Sequence, residues 1–326
     1  MPAAMITMSN AMSCSPVLRA GRSIIGGAFR AGAPLAAWTR ALRRIVLLLA
    51  AAVLMTGCSA VRIAYNQAPD IVYWWLDGYV DFNDAQTLRA RDGLEAWFAW
   101  HRRSELPQYA ALLARAREQV ANPVTAEQAC GWFDEANARA DAAIEHALPP
   151  LADVMRTLSE PQLAHLEHKY AESNEELADR FLQRKPDKRR KAQLERAVDR
   201  IEMVYGSLDD AQLERIAQLA LDTPFDPERW LAERRARQQD VLQTLRRLST
   251  EQAGAAQAEA ALRGVIQRIR VSPQADYREY QLRLVRFNCG FAAQVHNLTT
   301  PKQRAAAAKR FKGWEDDSRT LAAQAR

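Results

Sequence analysis

His165 and His168 lie three residues apart, and Glu172 follows four residues on. At helical spacing the three share a face, and a metal there would need further ligands or an open coordination position. No HExxH run is present, so zinc-assisted hydrolysis has no motif to rest on. The expectation is hydrogen-bonded or solvated histidines, with no metal and no other cofactor. Carboxylates crowd the same stretch: Glu167, Glu172, Glu175, Glu176 and Asp179. One of them, held protonated, could act as general acid on a glycan such as peptidoglycan. Lys169 and Arg180 interleave with these acids, which favours a solvated, charge-balanced face. The sequence has no nucleophile elbow, phosphate-cradling glycine loop or Cys/His nucleophile pair, so no residue is assigned a catalytic role.

The cysteines carry different chemistry. They stand at positions 14, 58, 130 and 289. Arg40, Arg43 and Arg44 precede an apolar run from Ile45 to Met55. That run is too short to span a bilayer but fits the core of a cleavable leader. Thr56-Gly57-Cys58 then resembles the lipobox of bacterial lipoproteins. Cleavage between Gly57 and Cys58 would expose a cysteine whose thiol accepts diacylglycerol and whose new amine accepts palmitate. Ser59 after it points to the outer membrane, because Asp there would favour inner-membrane retention. The partner expected first is therefore a membrane, held through lipid on Cys58, with the body on the periplasmic face. Cys130 and Cys289 would face a compartment where disulfides persist. Spacing alone leaves them as one bridge or two buried thiols.

Charge supports the same partition. Residues 1–57 contain six arginines and no Asp, Glu or Lys, and that matches the whole net charge of +6. Without them the chain is formally neutral, which argues against a nucleic-acid partner. Residues 1–57 read as a signal peptide with a long N-terminal extension and 58–69 as the lipidated tether. Residues 70–326 read as one helical domain with a candidate subdivision at the charge run 184–191.

What must position these groups is helix. Leu194, Val198, Ile201, Tyr205 and Leu208 repeat at helical spacing, as do Tyr277, Tyr280, Leu284, Phe287 and Phe291. Six capping residues are followed three positions later by Gln: Asn83–Gln86, Thr125–Gln128, Ser159–Gln162, Asp209–Gln212, Ser249–Gln252 and Thr300–Gln303. Each reads as a capping box opening a helix. Asp226-Pro227-Glu228 opens one more, with Pro in the first helical position. Pro69, Pro107, Asn122-Pro123, Pro149-Pro150, Pro186, Pro224 and Pro273 read as breakers. The expectation is an all-α, multi-helix bundle of about ten to twelve short helices with recurrent capping-box starts.

Trp74, Trp75, Trp97 and Trp100 cluster near the start of the body, beside Tyr65, Tyr73, Tyr79, Phe82 and Phe98. Trp74, Trp75, Tyr79, Trp97 and Trp100 form a candidate binding surface against the bilayer or a partner. A large aromatic core is the competing reading, and Asp77, Asp81 and Asp84 favour it by opposing anionic lipid.

Tyr65-Asn66 with Asp70, Trp74-Trp75-Leu76-Asp77, the stretch from Asp81 to Gln86, Trp100-His101-Arg102-Arg103, Glu105-Leu106-Pro107 and the stretch from Lys169 to Glu176 resemble blocks of an uncharacterised family of proteobacterial lipoproteins. The resemblance covers nearly all of the chain after Cys58. It implies an all-helical envelope lipoprotein and brings no activity with it. Leu158-Ser159-Glu160-Pro161-Gln162 is also similar to the LTxxQ motif of small periplasmic stress chaperones, which implies a helical body cradling unfolded clients. The expected function is a non-catalytic binding, scaffold or chaperone-like module whose partner is an envelope protein or unfolded client. The alternatives are a peptidoglycan hydrolase using a glutamate of 167–176 and a purely structural envelope lipoprotein.

Overall fold

The computed structural model describes residues 60–183 and 185–324. Gly57 and Cys58 lie outside the described residues, as does Arg184 of the charge run. The described residues form ten helices and no strand. These are α1 (Ala60–Val80), α2 (Asp84–Gln119), α3 (Ala126–Met155), α4 (Glu160–Phe181), α5 (Pro186–Tyr205), α6 (Asp210–Leu221), α7 (Pro227–Thr250), α8 (Ala255–Arg270), α9 (Ala275–Leu298) and α10 (Pro301–Ala323).

Five of the six boxes open helices as expected: Asn83, Thr125, Ser159, Asp209 and Thr300 are the N-caps of α2, α3, α4, α6 and α10. Asp226 caps α7 by accepting from the Arg229 amide. The sixth expectation was wrong. Ser249 lies in the last turn of α7, and Gln252 takes a left-handed φ of 48°. The Ala253 N–H returns 3.0 Å to Leu248 O, so these residues end a helix in a Schellman-like turn. Gly254 is the N-cap of the next one.

The prolines correct a second expectation. Pro69, Pro107, Pro149 and Pro150 all lie inside helices, and α2 and α3 run to 36 and 30 residues. An interior proline costs about 3 kcal/mol by removing an N–H and crowding the preceding turn. Packing offsets that here. Leu106 beside Pro107, and Leu148 and Ala152 beside the proline pair, are buried. α2 approaches Pro150 closely at a glycine: a Cβ added to Gly93 would come within 2.9 Å of Pro150 Cβ.

From Gln67 onward the described residues make one unit. α3 is flanked by α2, α8 and α9, and α7 bridges α4 and α8. The main core gathers Val80, Leu148, Met155, Leu158, Leu163, Leu166, Leu245, Leu248 and Leu262 from α1, α3, α4, α7, α8 and their turns. A smaller aromatic core holds Tyr277, Tyr280 and Leu284 against Phe225. The Leu194–Tyr205 stripe does form a helix, α5, but none of its residues is fully buried.

The capping glutamines also join helices to one another. Gln86 Oε1 accepts from its own cap, Asn83 N–H, at 3.0 Å, while Nε2 reaches Thr157 O at 3.0 Å. Gln162 answers from the other side: Oε1 accepts from Ser159 N–H at 3.0 Å, and Nε2 reaches Asp81 O at 2.7 Å. The two amides also bond each other. Thr157 and Asp81 each stand two residues before the partner's cap. The arrangement recurs at α6 and α10. Gln212 Nε2 reaches Leu298 O at 2.9 Å, Gln303 Nε2 reaches Ser207 O at 2.8 Å, and the amides again pair. Gln128 closes its own box only and is exposed.

Glu closes a capping box as well as Gln does but has no N–H to give. Gln86→Glu should therefore cost about 2 kcal/mol or more by orphaning Thr157 O and burying charge, while Gln128→Glu should stay within about 0.5 kcal/mol. Urea unfolding of both variants checks this. Equal losses would show that the cross-pairing contributes nothing beyond the caps.

Candidate functional site

The five aromatic residues of the candidate surface fall into two environments. Trp97 and Trp100 lie in the α2–α3 interface, where Trp97 Nε1 donates to Ala143 O at 2.9 Å. Trp97 stacks on His101 at 4.8 Å and Trp100 on His146 at 3.9 Å, so these two are packing residues. Trp74 and Trp75 are different: they stand 65% and 53% exposed on α1, with Ile71 52% exposed one turn earlier. Tyr79 is half-buried between them and the body, with ring centroids 5.0 Å from Trp75 and 6.3 Å from Tyr170. The aromatic-core reading holds for Trp97 and Trp100 and fails for Trp74 and Trp75.

α4 does not gather its histidines into one site. His165 Nε2 lies 3.2 Å from Gly78 O, whereas His168 pairs with Glu172 at 3.1 Å. Among the described residues no group of three or more His, Cys, Asp or Glu is placed to hold a metal. The glutamates point outward. Glu167 bonds Arg246 at 2.7 Å. The Lys169 ammonium, 2.9 Å from Glu172, holds that carboxyl below the usual range, opposite to what a general acid needs. Glu175 and Glu176 are exposed. The inner face of α4 carries a polar network instead. Asn174 donates to Gln238 at 2.7 Å and accepts from Arg234 at 2.9 Å, and Arg234 also reaches Ser173. Beside it, burial pushes the Tyr170 phenol up to about 12.

Where it is described, the charge run 184–191 makes contacts within and next to its own stretch and one to α7. Arg189 donates to Gln183 O and Glu228, Arg190 pairs with Asp187, and Lys191 lies near Glu195.

Cys130 on α3 and Cys289 on α9 form a disulfide, their Cα atoms 5.2 Å apart across a sequence separation of 159. Closing so long a loop stabilises by about 5 kcal/mol in the chain-entropy treatment. The turn that leads into α3 is fastened to α9 as well. His296 Nε2 lies 2.8 Å from Asn122 O, a pure acceptor, so Nε2 carries the proton and Nδ1 accepts from Tyr205 O–H at 2.9 Å. Asn297 clasps the backbone of Val124 in both directions.

Sequence reasoning met His101 only inside a resemblance block, with no role, and passed over His296; both are buried. Burial lowers His296 and takes His101 down to about 4. No local motif marks either one; the signal is tertiary.

Both shifts give pH dependence of known sign. A histidine kept neutral in the fold binds its proton only after unfolding, so its contribution is intact above the unfolded pKa near 6.5 and is lost as pH falls toward 4. Wild-type stability should drop over that window more steeply than that of His101→Phe, by up to about 2–3 kcal/mol. Denaturation midpoints at pH 7 and pH 4.5 test this. Parallel profiles would remove His101 as the cause.

No curated protein and no solved structure matches the chain. One family model does, over residues 78–278, from the last turn of α1 into the start of α9. That span holds Gln86, Gln162, Gln212 and Cys130 but stops short of Gln303 and Cys289, and Trp74 and Trp75 precede it. With more than half its length matched, the chain belongs to DUF6279, a family of unknown function.

Proposed function

We propose that this protein is a lipid-anchored envelope protein, tethered through Cys58 to the outer membrane, whose helical body binds or scaffolds other envelope components without catalysis. The observation that carries the reading is the pairing of a lipobox at Cys58 with a disulfide between Cys130 and Cys289. A bridge joining residues so far apart persists in an oxidising compartment, and the leader addresses the chain to one. The titratable groups support binding over chemistry. His168 and His296, the Arg234 network, Glu167 and Glu172 are held in structural contacts or ion pairs. Two crevices of the body, one between Arg196, Phe225 and Glu228 and one between Asp240, Arg247 and Arg268, are open and carry charged side chains. The hydrolase alternative draws no support from Glu172, whose carboxyl is biased toward its charged form.

Replacing Cys58 by Ser is expected to stop incorporation of labelled palmitate and to leave full-length precursor. A mature-size product that fractionates normally with membranes would contradict the anchor. For the body, purified protein should slow aggregation of an unfolded client or retain an envelope protein after crosslinking. Failure in both would leave the binding role without support.

A further inference from the structure

α1 is apolar on two faces. Tyr73 and Val80 face the body and are buried, while Ile71, Trp74 and Trp75 face outward. A helix apolar on opposite sides is normally covered on both. Single exposed apolar residues need no explanation, but two adjacent tryptophans and an isoleucine on one helical face are a patch. The neighbouring positions on that face, Gln67 and Gly78, carry no charge. The acidic residues that would oppose a lipid surface are otherwise engaged. Asp70 pairs with Arg91 at 3.0 Å, and Asp77 Oδ1 accepts the Phe82 N–H at 3.0 Å. Asp81 and Asp84 stand beyond the end of α1.

Chain length identifies what covers the patch. Cys58 precedes Ile71 by 13 residues, which reach about 45 Å at full extension. Eleven of those steps lie in α1 and rise only about 17 Å. An acylated Cys58 therefore holds Ile71, Trp74 and Trp75 within reach of the headgroup layer at all times. Trp and Tyr are the side chains favoured in that layer, and Tyr79 packs beside Trp75. No helix among the described residues is long and apolar enough to cross a membrane, so α1 would lie along the surface.

We propose that the outward face of α1, Ile71, Trp74 and Trp75, docks onto the interfacial layer of the same phospholipid leaflet that holds the acylated Cys58. The proposal rests on the anchored reading given above. It adds a second membrane contact, which fixes how the body stands on its anchor.

The test uses the full protein purified from membranes and reconstituted into uncharged phosphatidylcholine vesicles, with or without brominated acyl chains. Bromolipid should quench part of the wild-type tryptophan emission. In Trp74→Phe/Trp75→Phe the quenched share should fall at least twofold, with the circular dichroism unchanged. An equal share in both proteins would overturn the docking face. A concentration-dependent dimer that Trp74→Ser/Trp75→Ser dissociates would assign the face to a second copy and overturn it too. Intact mass of the same wild-type sample separates the two readings. Acylated Cys58 with unquenched Trp74 and Trp75 defeats the docking alone, whereas unacylated Cys58 defeats the anchor and the docking together.

Discussion

Four glutamines hold the ends of this helical body together. A helix N-terminus carries unpaired N–H groups and a partial positive charge, so two of them brought together repel unless something pairs the groups between them. Gln86 and Gln162 do so with one side chain each. The amide oxygen closes the local cap and the amide nitrogen crosses to the carbonyl that precedes the partner's cap. Only a side chain with both a donor and an acceptor at that length can do both. Asn is too short and Glu lacks the donor. Gln212 and Gln303 repeat the arrangement for α6 and α10.

The two locks stand at different places in the bundle and are complemented by a third fastening of another kind. The first ties the starts of α2 and α4 over the core of Leu158, Leu163 and Leu248, where Ser249 also reaches Leu158 O at 2.8 Å. The second ties α6 to α10, elements with few fully buried residues of their own. Between them the disulfide, His296 and Asn297 pin the α2–α3 turn and the start of α3 to α9. Long helices with modest cores thus gain order from a few polar contacts between elements distant in sequence.

Local features of the sequence were readable and tertiary ones were not. Five capping boxes and the Asp226-Pro227 start could be placed because a cap involves residues three apart. Ser249 and Gln252 carry the same letters yet end a helix: Gln252 takes a left-handed φ, the Ala253 N–H returns to Leu248 O, and the next helix starts from Gly254. Pro107 and Pro149-Pro150 misled because their cost is local while the burial that offsets it comes from other helices. The cross-pairing of glutamines was invisible for the same reason: it joins positions 76 and 91 residues apart. Periodicity placed Trp74, Trp75, Trp97 and Trp100 on helices but could not say which helical face would be covered. The histidines of α4 drew notice by spacing, whereas His101 and His296, which the fold does bury, had no spacing to betray them.

The first lock also bears on α1. Asp81, just past its last turn, takes a left-handed φ of 58°, a conformation unusual for a residue other than glycine. Its carbonyl is the acceptor that Gln162 holds, and its N–H returns 2.7 Å to Asp77 O. His165 meets the Gly78 carbonyl and Tyr170 packs on Tyr79, so α4 grips the end of α1 at three successive points. A helix held that way cannot roll about its own axis. The direction in which Trp74 and Trp75 face is therefore set by Gln162, His165 and Tyr170 of α4 together with buried Tyr73 and Val80, and the amide pairing that closes the bundle shares in fixing the exposed face.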